Sequence, residues 1–315
     1  MTKIRFLLAA AFAATLVLDL AANPAAAAEP VFPPGLRVGL VPLDGLVPAK
    51  DFAGFESSDK TVKVGIIEVP ETAFAAVEAA VKEGKPVTPK PQAMQTVAGP
   101  GYFTMESAKE GSANIKNFSL IVSGKKFAGY VITQLRDGAE KKYSDDAVRQ
   151  MLASTATRPE APVSEQLDLV PFKVSELANF KTVRTLAPRA SILLTDGDED
   201  TQLDGAPYMV IGLMQGAPET PDDRARFARQ VAATIPGLRE ARITSSEPMR
   251  IDGTPGFETR IDAVSGKNDT PVTVVQWLRF GSGSATLRII AGSTRTDWPQ
   301  AFTRFRAVRD GIGPR

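Results

Sequence analysis

Two segments of the chain, "VKVGIIEVPET" at residues 62–72 and "YMVIGLMQGAPET" at residues 208–220, share one layout. Each is an apolar run that closes on Pro-Glu-Thr and precedes residues with helical spacing. Such a run, followed by a helix start signal, predicts a strand that leads directly into a helix. The same segment in both halves predicts two copies of one structural unit.

The second copy has the clearer pattern. The segments "GFETRIDAVSG", "PVTVVQWLRF" and "SATLRIIAG" alternate apolar and polar residues. With "EPMRIDG" they predict a meander of about four antiparallel strands. One helix is predicted between Thr220 and Pro236, and a second follows Asp297, which we expect to be its N-cap. The apolar stripe of the second helix is expected to cover the sheet.

The first copy follows the same order. Strand-like runs lead to a helix that opens at Thr72, further strands follow, and Ser144 is expected to cap the helix "DDAVRQMLAS". Residues 85–101 are rich in proline and glycine and are predicted to form a mobile surface loop. The element order predicts an α+β fold of two tandem, pseudo-duplicated units, each an antiparallel sheet flanked by helices.

The start of the chain has the layout of a secretory signal peptide. Lys3 and Arg5 precede an apolar stretch, which ends in a run of small residues closing at Ala28. We expect cleavage after Ala28 and a soluble periplasmic or secreted product. A membrane anchor is disfavoured because Asp19 interrupts the run before it reaches the roughly 20 apolar residues that a spanning helix needs.

Composition predicts the domain boundaries. Residues 156–166 lie in a polar, proline-containing segment, "TATRPEAPVSEQ", that is typical of a linker. The predicted organisation is a signal peptide at 1–28, a first domain at 29–155, the linker, and a second domain at 167–315.

Charge is balanced, but the two halves use different basic residues. Up to residue 155 the mature chain has 12 lysines and 3 arginines, whereas the remainder has 3 lysines and 17 arginines. Neither half is a basic module, which argues against nucleic acid as a partner. Because guanidinium forms bidentate pairs and keeps its charge when partly buried, the second half is the better candidate for a recognition surface.

Two missing residue types restrict the chemistry. The chain has no cysteine, so it forms no disulfide and carries no lipid-modified N-terminal cysteine. It has no histidine, which removes Ser-His-Asp catalysis and the usual zinc sites. Two Ser-x-x-Lys matches, at Ser57 and Ser123, fall in predicted turns and lack a downstream Lys-Thr-Gly. We therefore predict no catalytic residues.

One segment, "LLTDGDEDTQLDG", suggests a metal. Asp196, Asp198 and Asp200 fall at alternate positions and Asp204 at the ninth, as at the start of a calcium loop. A threonine stands where the turn glycine belongs, and a proline where the bidentate glutamate is needed. A solvated hairpin turn is favoured, and a weak calcium site is the alternative. No cofactor is expected otherwise.

Two further sets of side chains could contact a ligand. Arg304, Arg306 and Arg309 lie on the predicted last helix and are a candidate partner-binding face, with a solvated helix face as the simpler interpretation. Trp277 and Trp298 could form an aromatic cage, but placement at the margin of a core is the simpler interpretation.

The element order, together with segments such as "YSDDAVRQML", "LVPFKVSELANF" and "WPQAFTRFRAVRDGI", resembles the fold of PsbP, DcrB and the Ran-binding Mog proteins. The resemblance is closest to exported proteobacterial proteins with two such units. Because this broad fold acts mainly in binding and assembly, the resemblance implies a non-catalytic role. It carries over no catalytic residue, and the missing cysteine means that the lipid anchor of DcrB-like proteins is not implied.

The first functional hypothesis is therefore an exported, non-enzymatic binding or assembly factor of the cell envelope with a protein partner. The second is a periplasmic protein that binds a small molecule or, weakly, calcium. The third is a hydrolase that uses only carboxylates. No oligomeric state is predicted.

Overall fold

The computed structural model describes residues 28–111, 113–136, 138–197, 205–218, 220–281 and 285–315. The predicted signal peptide therefore lies outside the described residues, apart from Ala28. Within the described ranges, no helix is long and apolar enough to cross a membrane.

Within the described residues, the first unit has nine strands, two α-helices and a 3₁₀ turn at Ala139–Lys141. Its strands are β1 Val38–Gly39, β2 Leu46–Pro48, β3 Gly54–Ser57, β4 Val62–Val69, β5 Gln92–Thr96, β6 Gly99–Glu110, β7 Ala113–Ser123, β8 Ala128–Arg136 and β9 Ala156–Thr157. Its helices are α1 Glu71–Lys82, between β4 and β5, and α2 Asp145–Ala153, between β8 and β9.

The second unit has the same succession, with one additional short helix at its start. Its helices are α3 Val163–Asp168, α4 Arg224–Ala232 and α5 Trp298–Asp310. Its strands are β10 Phe172–Val174, β11 Thr182–Ala187, β12 Ser191–Thr195, β13 Tyr208–Gln215, β14 Leu238–Ile251, β15 Thr254–Ser265, β16 Thr270–Phe280, β17 Ala285–Thr294 and β18 Ile312–Pro314.

Sheet topology confirms the duplication. The first unit has a seven-stranded sheet of order β2-β3-β4-β8-β7-β6-β5, and the second has a seven-stranded sheet of order β11-β12-β13-β17-β16-β15-β14. In each unit the first and last strands form a separate two-stranded ribbon, β1 with β9 and β10 with β18. All of these pairings are antiparallel. The chain is thus an α+β protein of two pseudo-duplicated units, as the sequence predicted.

Each main core lies between a sheet and the helix that follows the middle strand of that sheet, which is β8 in the first unit and β17 in the second. In the first unit, α2 buries Val148, Met151 and Leu152 against the sheet. Ser144 caps this helix, because its Oγ accepts a hydrogen bond from the Ala147 amide at 3.2 Å. In the second unit, α5 buries an apolar stripe that includes Phe305 against the corresponding face.

The opposite faces of the two sheets are covered unequally. In the second unit, α4 buries Ala228, Val231 and Ala232. Arg288 and Gln276 of the sheet also donate hydrogen bonds to the carbonyls of Val231, at 2.7 Å, and Ala228, at 3.0 Å. In the first unit, α1 has no fully buried residue. The two copies therefore share a topology but differ in how firmly this helix is held.

Several predicted elements have different bounds in the structure. The loop expected at residues 85–101 contains β5 and the start of β6. A tight turn at Val97 and Ala98 joins the two strands, and across it the Thr96 hydroxyl donates to the carbonyl of Gly99 at 2.7 Å. The strand predicted around "EPMRIDG" begins earlier, at Leu238. The helix predicted between Thr220 and Pro236 is shorter, since Pro221–Asp223 form a 3₁₀ turn before α4.

The segment between the two units is structured. Residues 156–166, predicted as a linker, include β9 and the first residues of α3. The side chain of Gln166 is 5% exposed and bridges both units, donating to the Gly35 carbonyl at 2.9 Å and accepting from the Thr185 amide at 2.8 Å. Glu165 accepts from the Gly35 amide at 3.0 Å and pairs with Arg158. Hydrogen bonds from Arg158 lower the pKa of Glu165.

Candidate functional site

The second unit has a groove at the free end of the β14–β15 hairpin. One wall is the 3₁₀ turn and the first residue of α4, and the other wall is the hairpin itself. The groove has a volume of about 410 Å³, a size that suits a small ligand or a short peptide segment. The lining residues are Pro221, Arg224, Pro248, Met249, Arg250, Pro255, Gly256 and Phe257.

Local sequence explains the shape of the hairpin wall. Asp252 and Gly253 both have positive φ, 50° and 69°, as a two-residue turn that matches strand twist requires. This turn sets the register in which Arg250 lies opposite Pro255 and Pro248 lies opposite Phe257. Because alternate residues of a strand share one face, Pro248 and Arg250 point to the same side of the sheet as their partners.

The apolar part of the groove is built from prolines and one core residue. Phe257 is 4% exposed and belongs to a cluster with Val231, Leu278 and Phe280. Proline has little conformational freedom to lose, and three of the lining residues are prolines. A ligand would therefore meet a preformed apolar surface, which lowers the entropic cost of binding.

Two guanidinium groups give the groove its charge. Arg224 lies over the Phe280 ring at 5.4 Å from its centroid, and Arg250 donates to the carbonyl of Gly253 at 2.6 Å. Among the described residues, no carboxylate forms an ion pair with either arginine. Asp223, next to Arg224 in the chain, instead pairs with Arg226 at 2.5 Å and accepts from the Thr220 hydroxyl at 2.8 Å.

The groove also lies at a sheet edge, because β14 is the last strand in the order of its sheet and pairs, among the described residues, with β15 alone. The residues that flank the two-residue turn, Ile251 and Thr254, form a hydrogen-bonded pair. Along β14, the backbone N–H and C=O groups of successive residues point alternately toward β15 and away from it. The backbone groups of Ser246, Pro248 and Arg250 therefore face the open edge. Pro248 has no N–H to offer there. Register shifts at two places farther along β14 distort the edge. Proline and bulges both discourage the addition of a further strand.

The predicted calcium ligands are only partly described. Asp198, Asp200 and Asp204 lie outside the described residues. Asp196 accepts hydrogen bonds from Nη1 and Nη2 of Arg304, at 2.5 and 3.1 Å. These bonds lower the pKa of Asp196. In the part of the chain that the structure describes, no group of three or more acidic side chains could hold a metal ion.

The three arginines of the candidate partner face are not equivalent. Arg304 is part-buried, bound to Asp196 and stacked over Phe180 at 4.4 Å from the ring centroid. Arg309 is 8% exposed and pairs with its neighbour Asp310. Arg306 is exposed. The structure therefore does not place these three guanidinium groups together on one open surface.

The two tryptophans do not enclose an open cage. Trp277 is fully buried and donates from Nε1 to Glu258 at 2.8 Å. Phe302 stacks between Trp277 and Trp298, at 6.0 and 5.1 Å from their ring centroids. These aromatic side chains are part of the α5 core.

Ser57, the first serine of a Ser-x-x-Lys match, is used in a turn. Its hydroxyl donates to Asp59 at 2.6 Å and accepts from the Val62 amide at 3.0 Å. Hydrogen bonds from Ser57 and Thr61 lower the pKa of Asp59 to about 2. The serine thus stabilises the turn between β3 and β4.

The groove was not predicted from the sequence. The high arginine content of the second half indicated only that a recognition surface would lie in that unit. A second signal was present in "EPMRIDGTPGF", where Asp-Gly predicts a hairpin turn and a proline lies on each side of it. Neither signal showed that the start of α4 would face this hairpin.

Comparison with known proteins gives the following results. No protein-family model matches the chain, and neither does any curated protein sequence. Among solved structures, the chain is similar to LpqN, which is involved in cell envelope biogenesis of Mycobacterium tuberculosis. The identity is 15%, the TM-score is 0.34, and the match covers 45% of this chain and 83% of LpqN.

Two further structures illustrate the range of similarity. The Ran-binding protein Mog1p of Saccharomyces cerevisiae is 10% identical with a TM-score of 0.29, over 46% of this chain and 86% of Mog1p. The immunity protein TplEi of the T6SS from Pseudomonas aeruginosa is 8% identical with a TM-score of 0.28, over 91% of this chain and 97% of TplEi. At these values the similarities carry nothing about the ligand, partner or activity of this chain.

Proposed function

We propose that this chain is an exported, non-catalytic binding or assembly factor of the cell envelope, and that it engages a protein partner through the groove of its second unit. The observation that carries the proposal is the pair of arginines, Arg224 and Arg250, without carboxylate partners among the described residues, beside a preformed apolar surface. Arginine and aromatic residues in such settings dominate binding energy at protein interfaces.

Two features of the sequence support the proposal. Export is inferred from the signal-peptide pattern that ends at Ala28. The absence of histidine and cysteine leaves only carboxylate, serine–lysine or oxygen-bound metal chemistry. The Ser57 hydroxyl is occupied in a turn, and Asp196 is occupied by Arg304.

The test is cross-linking in intact cells, followed by purification of the tagged protein and mass spectrometry. We expect one reproducible envelope partner that is lost in the variant Arg224→Gln/Arg250→Gln. The matched control is Arg229→Gln/Arg242→Gln, which removes two positive charges from exposed positions of the same unit outside the groove. Retention of the partner by the groove variant would show that the groove is not the binding site.

The same preparation tests the two alternatives. A calcium-binding protein would show a melting temperature that rises with calcium and falls with a chelator. A carboxylate hydrolase would show turnover of envelope material that disappears when one acid is changed to its amide. Either result would replace the proposed role.

A further inference from the structure

We infer that the groove recognises an acidic, extended segment of the partner through its side chains, and not by adding a strand to β14. This inference rests on the proposed function and specifies the ligand of the same site.

The charge of the groove selects for an anion. Arg224 and Arg250 both line it, and no described carboxylate pairs with either. Asp222 is exposed near the helix start but does not line the groove, and Asp223 is already paired with Arg226. Guanidinium groups form strong, bidentate hydrogen bonds with carboxylates. A ligand with carboxylates at this point would supply the missing counter-charge.

The apolar lining of the groove adds a second requirement, that the ligand also carry apolar groups. The prolines Pro221, Pro248 and Pro255 contribute no side-chain hydrogen-bond donor or acceptor, so they favour apolar parts of the ligand. Phe257, opposite Pro248 in the hairpin, is 4% exposed and offers the ligand little surface of its own. The volume of about 410 Å³ accommodates a short segment of chain and not a folded domain. A segment in which acidic and apolar residues alternate would satisfy both surfaces.

The open edge of β14 does not suit strand addition. An added strand needs an unbroken row of N–H and C=O groups, and Pro248 removes the N–H from the middle of the outward-facing row. The shifts in register between Arg239 and Arg242, and between Ile243 and Ser245, interrupt the row farther along. Recognition at this edge must therefore come mainly from side chains.

A protein segment fits this site better than a nucleic acid. A nucleic-acid site needs a broad basic surface that neutralises several phosphates, whereas this groove offers two arginines on a chain of formal net charge +1. The corresponding β5–β6 turn of the first unit is held differently. There, the amides of Val97 and Ala98 donate to the carbonyls of Ala153 and Thr155, so that the turn is docked on the end of α2.

The test measures binding of short fluorescein-labelled peptides to the full mature protein by fluorescence polarisation. The first peptide has glutamate at alternate positions with valine or proline between, and the second is identical except that glutamine replaces each glutamate. We expect the glutamate peptide to bind about tenfold more tightly than the glutamine peptide. We also expect Arg224→Gln/Arg250→Gln to abolish that preference, whereas Arg229→Gln/Arg242→Gln retains it.

A third variant, Pro248→Val, separates the two binding modes. It restores the missing N–H at the edge, so strand addition would become stronger, whereas recognition by side chains would give no gain in affinity, because valine adds no charge and no hydrogen-bonding side chain to the groove. Equal binding of both peptides, a clear gain in Pro248→Val, or tighter binding of single-stranded DNA would overturn the inference. Thermal melts of each variant establish that the fold is retained.

The two proposals fail in different ways. If the cross-linked partner depends on Arg224 and Arg250 but the glutamate peptide shows no preference, the proposed function stands and the acidic ligand is wrong. If the groove variant retains both the partner and the peptide, the site itself is wrong.

Discussion

At the scale of single residues, Asp196 was a candidate calcium ligand, but in the structure it forms an ion pair with Arg304. Arg304 also donates from Nε to the Ala178 carbonyl at 2.9 Å and lies over Phe180. These contacts connect α5 to the segment before β11 and to the end of β12. The pair thus connects the terminal helix to the β11–β12 edge of its sheet.

We predict that Asp196→Asn costs about 1–2 kcal/mol in the free energy of unfolding at neutral pH. The hydrogen bonds from Arg304 lower the pKa of Asp196 in the folded state. Its contribution is therefore present above the unfolded-state pKa, near 4, and is lost as the pH falls through the lower folded-state pKa. Urea unfolding from pH 7 to pH 3 should show the difference between variant and wild type shrinking. A constant difference would contradict this account.

Gln166 is a second residue with a structural role, because its side chain lies at the junction of the two units. Its amide joins the Gly35 carbonyl of one unit to the Thr185 amide of the other. Gly35 has φ of 78°, and an added Cβ would lie 2.6 Å from Leu169. The junction is therefore closely packed as well as hydrogen-bonded.

We predict that Gln166→Leu destabilises the protein by about 1–3 kcal/mol, because it leaves the part-buried Gly35 carbonyl and Thr185 amide without these partners. The control is Gln150→Leu, at an exposed position of α2, which should change stability by less than about 0.5 kcal/mol. Chemical denaturation measures both. Equal effects of the two substitutions would mean that the bridge contributes nothing.

At the scale of elements, the helices that cover the sheets contribute unequally. The stripe of α5 includes Phe305, which is fully buried, whereas the best-placed aromatic of α1, Phe74, is only half-buried and contacts the Tyr102 ring at 5.6 Å. In the second unit, α4 occupies the position that α1 has in the first, and hydrogen bonds from Arg288 and Gln276 anchor it to the sheet. Burial lowers the pKa of Arg288. No such polar anchor is seen for α1 among the described residues.

We predict that Phe305→Ala costs about 3–5 kcal/mol, as expected for a buried aromatic side chain. Phe74→Ala should cost about 1–2 kcal/mol, since less apolar surface is removed from water in the native state. Hydrogen exchange should also show earlier opening of α1 than of α5. A larger loss of stability for Phe74→Ala would contradict the unequal packing.

At the scale of the whole molecule, each unit is closed by its own ribbon. The β1–β9 and β10–β18 pairs bring the start and end of each unit side by side, and each unit has its own core cluster. Such closure is the arrangement expected of a domain that can fold independently. The junction around Gln166 then adds stability to two structures that are already complete.

We predict that fragments 29–161 and 162–315 each fold separately, with cooperative thermal transitions and far-UV circular dichroism that sum to that of the intact chain. Each should melt below the intact protein, because the hydrogen bonds of the junction are lost. A fragment that lacks a cooperative transition would show that its core requires the other unit.

The sequence by itself determined the duplication and the α+β class. The features that predicted them are local: the repeated segments ending in Pro-Glu-Thr, the period-two runs of the second half and the Ser144 cap. Each depends on interactions between residues that are close in sequence. The α2 helix and the four-stranded meander followed from them. The predicted bounds were wrong where tertiary contacts decide the element, as at residues 85–101, where proline and glycine flank β5.

Only the tertiary structure decided the groove and the junction. Arg304 reaches Asp196 across 108 positions, and Gln166 reaches Gly35 across 131. The groove likewise needs the start of α4 to face the β14–β15 hairpin. Such contacts depend on how a sheet pairs and which face a helix covers, and no local periodicity encodes that relation. The chain thus specifies its two units through short-range pattern, while its candidate binding site arises from the meeting of distant segments.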